Sequence, residues 1–465
     1  MTDHPMPEEH ALSRRTILQR ALAIGGLAAA APLLAACGSS GDSSTPATTP
    51  VSAPTTAATG PTGSGKVIIG AFDDGAMAPF KDKIIPLFKE KTGIDIELLS
   101  EPYDSFKAKA LQDGQSKAGQ FDIYIMDDPW VPEFAAAGYL ADLGAAGIAA
   151  NPDFSAPFIE LGYWPPQSGP RVKGFETTTP ALVALPTIGD LQTLTYRNDV
   201  FTSGAPKTWD DLVSTATAAQ TAGTIKYGYV FRGVKGNPIV TSWYPIFLSF
   251  GGVFFDDQWN PTFNSAEGKA SADFFVTNLK AIAPPGVAEF DSDQEGAAIL
   301  GGEAAAIIQY SGNAIKSDDP AQSKEVGKLD FGVVPAKAKA LAQIGIFIHG
   351  VSSNAPNKDN AITFMKWFAT LEAQVALAQA GDLPVLNAAF ADPTAVAAHR
   401  LLPVALAQIQ SGAQARPRMP DWGKVEDIIG TELNKALIAG KGGGAALDNA
   451  AVQVKAALMT LGYYA

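Results

Sequence analysis

Cysteine occurs once in the 465 residues, at Cys37, and histidine four times, at His4, His10, His349 and His399. One thiol excludes an intrachain disulfide and a cysteine zinc site. Two of the four histidines fall within the first ten residues, so a histidine-rich metal site is excluded too, and no metal is expected. Charge is also scarce, at 17% of residues, and its cations are outnumbered, 34 Lys and Arg against 47 Asp and Glu, for a formal net charge of −13. That balance argues against a nucleic-acid partner and against adhesion of the folded body to anionic lipid. No G-x-S-x-G elbow, P-loop or H-E-x-x-H helix is present. Neither later histidine lies in a catalytic motif; His349 ends an apolar strand and is read as a packed, hydrogen-bonded residue. Neither catalysis nor a cofactor is expected. The Asp127/Asp128 pair has the residue types of a glycosidase, but adjacent residues on one turn do not define the carboxyl separation that reaction needs.

Long hydrophobic runs are missing as well. Residues 21–36 are apolar and alanine-rich, but they fall short of the roughly 20 residues of a membrane span, and Gly25, Gly26 and Pro32 interrupt them. Ser13-Arg14-Arg15-Thr16-Ile17-Leu18 precedes them in the twin-arginine form of a bacterial export signal. Leu34-Ala35-Ala36-Cys37-Gly38 follows them and resembles a lipobox, so residues 1–37 read as a lipoprotein signal peptide with Cys37 as the lipidated residue. Two or more acyl chains would anchor firmly, at about 0.8 kcal/mol per buried methylene. Residues 38–65 are rich in Ser, Thr, Pro, Gly and Ala with almost no charge, and read as a disordered tether between lipid and body.

The body is organised around residues 121–143. Phe121, Ile123 and Ile125 alternate with Asp122, Tyr124 and Met126 as a short buried strand. Asp127, Asp128, Pro129 and Trp130 turn into a helix that Gly138 ends. In open α/β sheets, ligands bind beyond the carboxyl ends of strands. Two carboxylates accept hydroxyl hydrogen bonds, and an indole stacks on C–H faces, so the turn suits a polyhydroxylated molecule. Upstream, residues 66–70 form a strand, 78–92 a helix with Phe80, Ile84, Leu87 and Phe88 on one face, 94–99 a strand and 103–118 a helix. That alternation predicts a parallel sheet. The length predicts at least two domains. The carboxyl-terminal third is helical over 357–371, 425–439 and 445–461.

Phe88-Lys89-Glu90-Lys91-Thr92-Gly93-Ile94 is similar to the junction of first helix and second strand in family 1 extracellular solute-binding proteins, the maltose-binding-like group. The resemblance extends through residues 121–140 and Ala184-Leu185-Pro186. It continues in the phrase Tyr196-Arg197-Asn198-Asp199-Val200-Phe201 with Pro206-Lys207-Thr208-Trp209-Asp210-Asp211-Leu212. Further matches are Phe250-Gly251-Gly252, Gly302-Glu303-Ala304-Ala305-Ala306, residues 361–371, and Arg416-Pro417-Arg418-Met419-Pro420-Asp421-Trp422.

The resemblance implies an α/β, two-lobed periplasmic-binding-protein fold (type II-like) with its ligand between the lobes. It implies crossings near 187–192, 303–304 and 350–353, hence 66–187 and 305–350 as one lobe and 188–304 and 351–465 as the other. It implies a monomeric, extracytoplasmic binding protein on the outer face of the bacterial cell membrane. Such a protein captures a sugar or sugar alcohol for the permease subunits of an ABC importer and touches the membrane through its N-terminal lipid. Alternatives are a binding protein for a phosphodiester or other polar solute, a glycosidase-like enzyme, and a lipoprotein sensor without transport. Residue chemistry and position together nominate Glu101, Tyr103, Asp128, Trp130, Asp190, Gln192, Trp243, Tyr244, Tyr310 and Trp422 as ligand-binding. Tryptophan is frequent in the family around Tyr310, so tyrosine there is a departure. Arg416 and Arg418 are read as structural ion-pair residues.

Overall fold

Eight strands build two sheets. In chain order they are β1 (Val67–Phe72), β2 (Ile96–Glu101), β3 (Ile123–Asp127), β4 (Leu185–Ile188), β5 (Gln192–Arg197), β6 (Ala306–Tyr310), β7 (Leu329–Gly332) and β8 (Phe347–Val351). The computed structural model describes residues 65–464; the signal sequence, Cys37 and residues 38–64 of the tether lie outside the described residues.

The first sheet has the order β2-β1-β3-β8-β4. β1 pairs in parallel with both β2 and β3, as alternating strands and helices require. β8 runs antiparallel to β3 and β4. β3 is buried at all five positions because it is the central strand, covered on both faces. The Tyr103–Ser116 helix lies close over β1. A Cβ on Gly70 would meet the Phe106 and Phe121 rings at 2.6 and 2.7 Å, so only glycine admits that approach.

The second sheet has the order β6-β5-β7, with both pairings antiparallel. The Asn237–Phe250, Ala266–Phe274, Trp422–Ala439 and Gly443–Thr460 helices pack together beside it. Gln192 of β5 ties the group to the sheet, donating to the Thr241 carbonyl at 2.8 Å.

This pairing departs from the expected lobe boundaries. Residues 306–332 were expected with the first sheet, yet β6 and β7 pair on either side of β5. The apolar run at 304–308 decides this: Ala304 and Ile307 bury against Val230, Ile299 and Leu329. The chain passes between sheets later, at Ile344–Ile346, not at 303–304. Nor does it leave the first half at 350–353. The Lys358–Phe368 helix packs back on the first sheet through Phe364 and Phe368, which surround Phe80 and His349. The carboxyl-terminal third is therefore shared between the two halves.

His349 sits on β8, fully buried among Phe80, Phe364 and Phe368, with Nδ1 hydrogen-bonded to the Thr187 hydroxyl. Burial lowers its pKa to about 3. The unfolded chain therefore takes up this proton near pH 6.5 while the fold refuses it until about pH 3. The stability that depends on a neutral ring is fully present above 6.5 and is lost as pH falls through that window. Replacing His349 with Leu is expected to flatten the acid limb of stability by about 1.4 kcal/mol per pH unit below 6.5. Urea unfolding of both proteins at pH 7, 6 and 5 measures this; parallel curves would contradict it.

Candidate binding site

The first three strands end at one edge of the first sheet. They deliver Phe72-Asp73-Asp74, Glu101-Pro102-Tyr103 and Asp127-Asp128-Pro129-Trp130 to it. A cavity of about 770 Å³ opens there. Its facing wall comes from residues 232–238, Asp291–Asp293 and the first turns of the Trp422–Ala439 helix. Asp190, Tyr310, Gly345 and Phe347 line it where the chain passes between the sheets. The cavity thus lies between the two lobes, each contributing one wall.

An aromatic cluster forms the first wall. Phe72 contacts Tyr103, Trp130 and Phe347 at centroid distances of 5.1, 5.3 and 5.2 Å. The Trp130 indole N–H donates to the Tyr103 hydroxyl at 2.9 Å, and that hydroxyl donates to Asp127 Oδ2 at 2.8 Å. Asp127 caps the turn by accepting from the Asp128 amide at 2.9 Å. The chain of bonds ends on Arg416. Its guanidinium donates to both Asp127 oxygens, at 2.9 and 2.5 Å, and to Asp128 Oδ1. Arg418 adds donations to the carbonyls of Asp128 and Leu161, at 2.9 and 2.6 Å. The arginine segment itself is held from the second half, because Tyr244 of the Asn237–Phe250 helix donates to the Ala415 carbonyl at 2.8 Å. Arg416 therefore joins the two walls.

Burial dominates the electrostatics. Asp128 is fully enclosed with Oδ2 unbonded among the described residues. That burial, reinforced by Asp127, lifts its pKa to about 7 despite Arg416. Burial opposes the charge on Arg416, but the two carboxylates outweigh it and hold the guanidinium above its ordinary value. Asp190 is pushed well up by burial, although the Ser311 amide and hydroxyl both donate to its Oδ1. Glu426 is raised by burial too, with Asn237 Nδ2 donating to it at 3.1 Å.

Five of the ten nominated residues line the cavity: Tyr103, Trp130, Asp190, Tyr310 and Trp422. The two tryptophans are only 2% and 1% exposed, so they act chiefly by stiffening the walls. The other five lie elsewhere. Glu101 ends an edge strand and turns outward to Lys109. Trp243 is a core residue, against Phe247 at 4.5 Å with its N–H on Ser271. Asp128, Gln192 and Tyr244 stand behind the lining: Asp128 under Arg416, Gln192 between Thr241 and Gln343, Tyr244 under Ala415. The residues not anticipated are Asp73, Asp74, Arg232, Asn237, Asn313 and Glu426. Asp73 and Asp74 follow β1 as Asp127 and Asp128 follow β3, so the strand-end rule that found one pair covers the other. Glu426 is one helical turn from Trp422. Arg232 sits in an irregular segment, Asn237 opens the Asn237–Phe250 helix and Asn313 lies in the short Ser311–Ala314 helix, none with a local signal for a ligand.

The lining carries nine carboxylates and four cations. Three of those cations are already paired: Arg416 as above, Arg232 with Asp291 at 2.8 Å, and Lys107 with Glu133 at 2.9 Å. Removing one partner of a buried ion pair leaves uncompensated charge at a cost of about 3–5 kcal/mol. Arg416→Ala is expected to lower unfolding stability by that order at pH 8, above the raised pKa of Asp128, and by less when combined with Asp127→Asn and Asp128→Asn. Urea unfolding reads both; an unchanged midpoint for Arg416→Ala would refute the role given to this fork.

Comparison with known proteins follows the same lines. Residues 71–375 match the family model described as bacterial extracellular solute-binding protein. A probable amino-acid ABC transporter periplasmic-binding protein of Sinorhizobium fredii is 26% identical over 356 residues, 75% of this chain and 79% of its own length. An ABC transporter solute-binding protein from Agrobacterium radiobacter, solved with ribitol, superposes with a TM-score of 0.72 at 26% identity, covering 84% of this chain and 98% of that one. A maltose-bound MalE3 of T. maritima superposes with a TM-score of 0.71 at 23% identity, over 84% and 99%. Both the matched span and the two-lobed architecture place the chain in one family: it belongs to the bacterial extracellular solute-binding proteins.

Proposed function

We propose that the chain is the lipid-anchored, extracytoplasmic binding protein of an ABC importer, and that its cleft holds a neutral sugar or sugar alcohol for delivery to a permease. The observation that carries the solute class is the charge inventory of the cavity. Carboxylates accept hydrogen bonds from hydroxyls, and nine of them line the walls. A ligand with its own carboxylate or phosphodiester needs free cations or bare helix N-termini; three of the four lining cations are committed to partners, and Lys235 and the uncapped first turns of the Asn237–Phe250 and Trp422–Ala439 helices stand against nine acidic side chains. The same argument weighs against an amino acid, the class in the name of the Sinorhizobium relative: its ammonium group suits the walls, its carboxylate does not. The ribitol bound by the Agrobacterium protein is of the class favoured here.

On this reading Tyr103, Trp130, Asp190, Tyr310 and Trp422 meet the solute together with Asp74, Asn237 and Glu426. The lobes are residues 65–188 with 347–398, and 192–342 with 402–464, and the short segments between them are the hinges. Closure has a physical cause, because a solute that touches both walls only in the closed form stabilises that form selectively. Anchoring rests on Cys37 in its lipobox context. Among the described residues no helix is long and apolar enough to cross a membrane. Cys37→Ser is therefore expected to release the protein from the membrane fraction with binding intact.

Trp130→Ala, Trp422→Ala and Asp190→Ala are each expected to weaken binding at least tenfold, the first two by loosening a wall and the third by freeing Ser311. Calorimetric titration with ribitol, D-mannitol and maltose checks this. Unchanged affinity in all three variants would remove the site assignment.

A further inference from the structure

We propose that Gly345 and Tyr310 together fix the depth of the cleft, and that Gly345 is thereby a position that determines which ligand sizes fit. This rests on the solute-cleft reading above and goes beyond it by assigning size selection to one contact.

Both residues line the cavity. Tyr310 is the last residue of β6, paired with Gln192, and its ring lies directly over the Gly345 backbone. A Cβ on Gly345 would stand 2.3, 2.8 and 3.0 Å from Cε1, Cζ and Cδ1 of that ring. Real Cβ atoms do not approach so closely, so one partner has to move. The backbone is pinned on both sides of the contact. The Gly345 amide donates to the Asp190 carbonyl at 3.1 Å, the Ile344 amide donates to the Gln414 carbonyl at 3.1 Å, and Ile344 bridges Leu191. Asp190 pins the other strand as well, since its carboxylate holds Ser311, the residue after Tyr310. The ring is the part free to shift, because it is half-buried and borders the cavity. Gly345 does not adopt left-handed backbone, so its missing side chain serves the ring and not the turn. Any side chain at 345 therefore drives the Tyr310 ring into the ligand space, and glycine keeps the cleft at full depth.

Crystal structures of the wild-type protein and Gly345→Ala, together with titrations of ribitol and maltose, test the pairing. The expected result is a Tyr310 ring displaced into the cavity in Gly345→Ala. Maltose affinity falls at least tenfold and ribitol affinity falls less. A ring that stays in place, or equal loss for both probes, overturns the proposal. If the wild-type protein binds neither probe, the sugar and polyol reading fails, and the ring position in the two structures alone decides the steric pairing.

Discussion

Arg416 and the two aspartates it grips are the constraint on which the site depends. Asp127 and Asp128 are adjacent carboxylates, Asp128 fully buried and Asp127 at the cavity wall, and the charge of Asp127 makes ionised Asp128 harder to hold. One planar guanidinium bonds both, to each oxygen of Asp127 and to one of Asp128, because its fork presents several donors in fixed directions, which a lysine could not do. Its consequences run outward in both directions. Through Asp127 it orients Tyr103 and then Trp130, so the first wall is set by a chain of bonds. Through Ala415 it is joined to Tyr244 and the second half. Such a pair contributes little net stability once desolvation is counted, and its value lies in fixing where the groups stand.

The sequence made the first half readable because its signals are local. Strand, helix and strand follow one another with the right periods, and Gly93 and Gly138 end their helices in the left-handed conformation, as expected. The turn at Asp127–Trp130 was legible for the same reason. The strand pairing of residues 306–332 was not. Ala304–Ile308 is an apolar run that either sheet could accept, and only its burial against Val230, Ile299 and Leu329 assigns it. Trp243 shows the same limit within the site: an aromatic on a helix reads alike whether it faces a ligand or Ser271 in a core. Arg416 forms the ion pairs expected of it, but with partners almost 290 positions away that nothing local names, whereas Arg418 departs from that expectation and donates to the backbone carbonyls of Asp128 and Leu161.

The proposed ligand class rests on which charges of the cleft are already used. A cleft rich in acidic side chains, with three of its four cations committed, suits many hydroxyls better than an anion. The most direct measurement of that claim is a thermal-shift screen of the protein against monosaccharides, disaccharides, polyols, amino acids and glycerol phosphodiesters. A ligand at about 100 times its dissociation constant stabilises the fold by about 2.7 kcal/mol, a readily measured shift. The account predicts stabilisation by neutral sugars or polyols and none by the anions. Stabilisation confined to amino acids or phosphodiesters would contradict it.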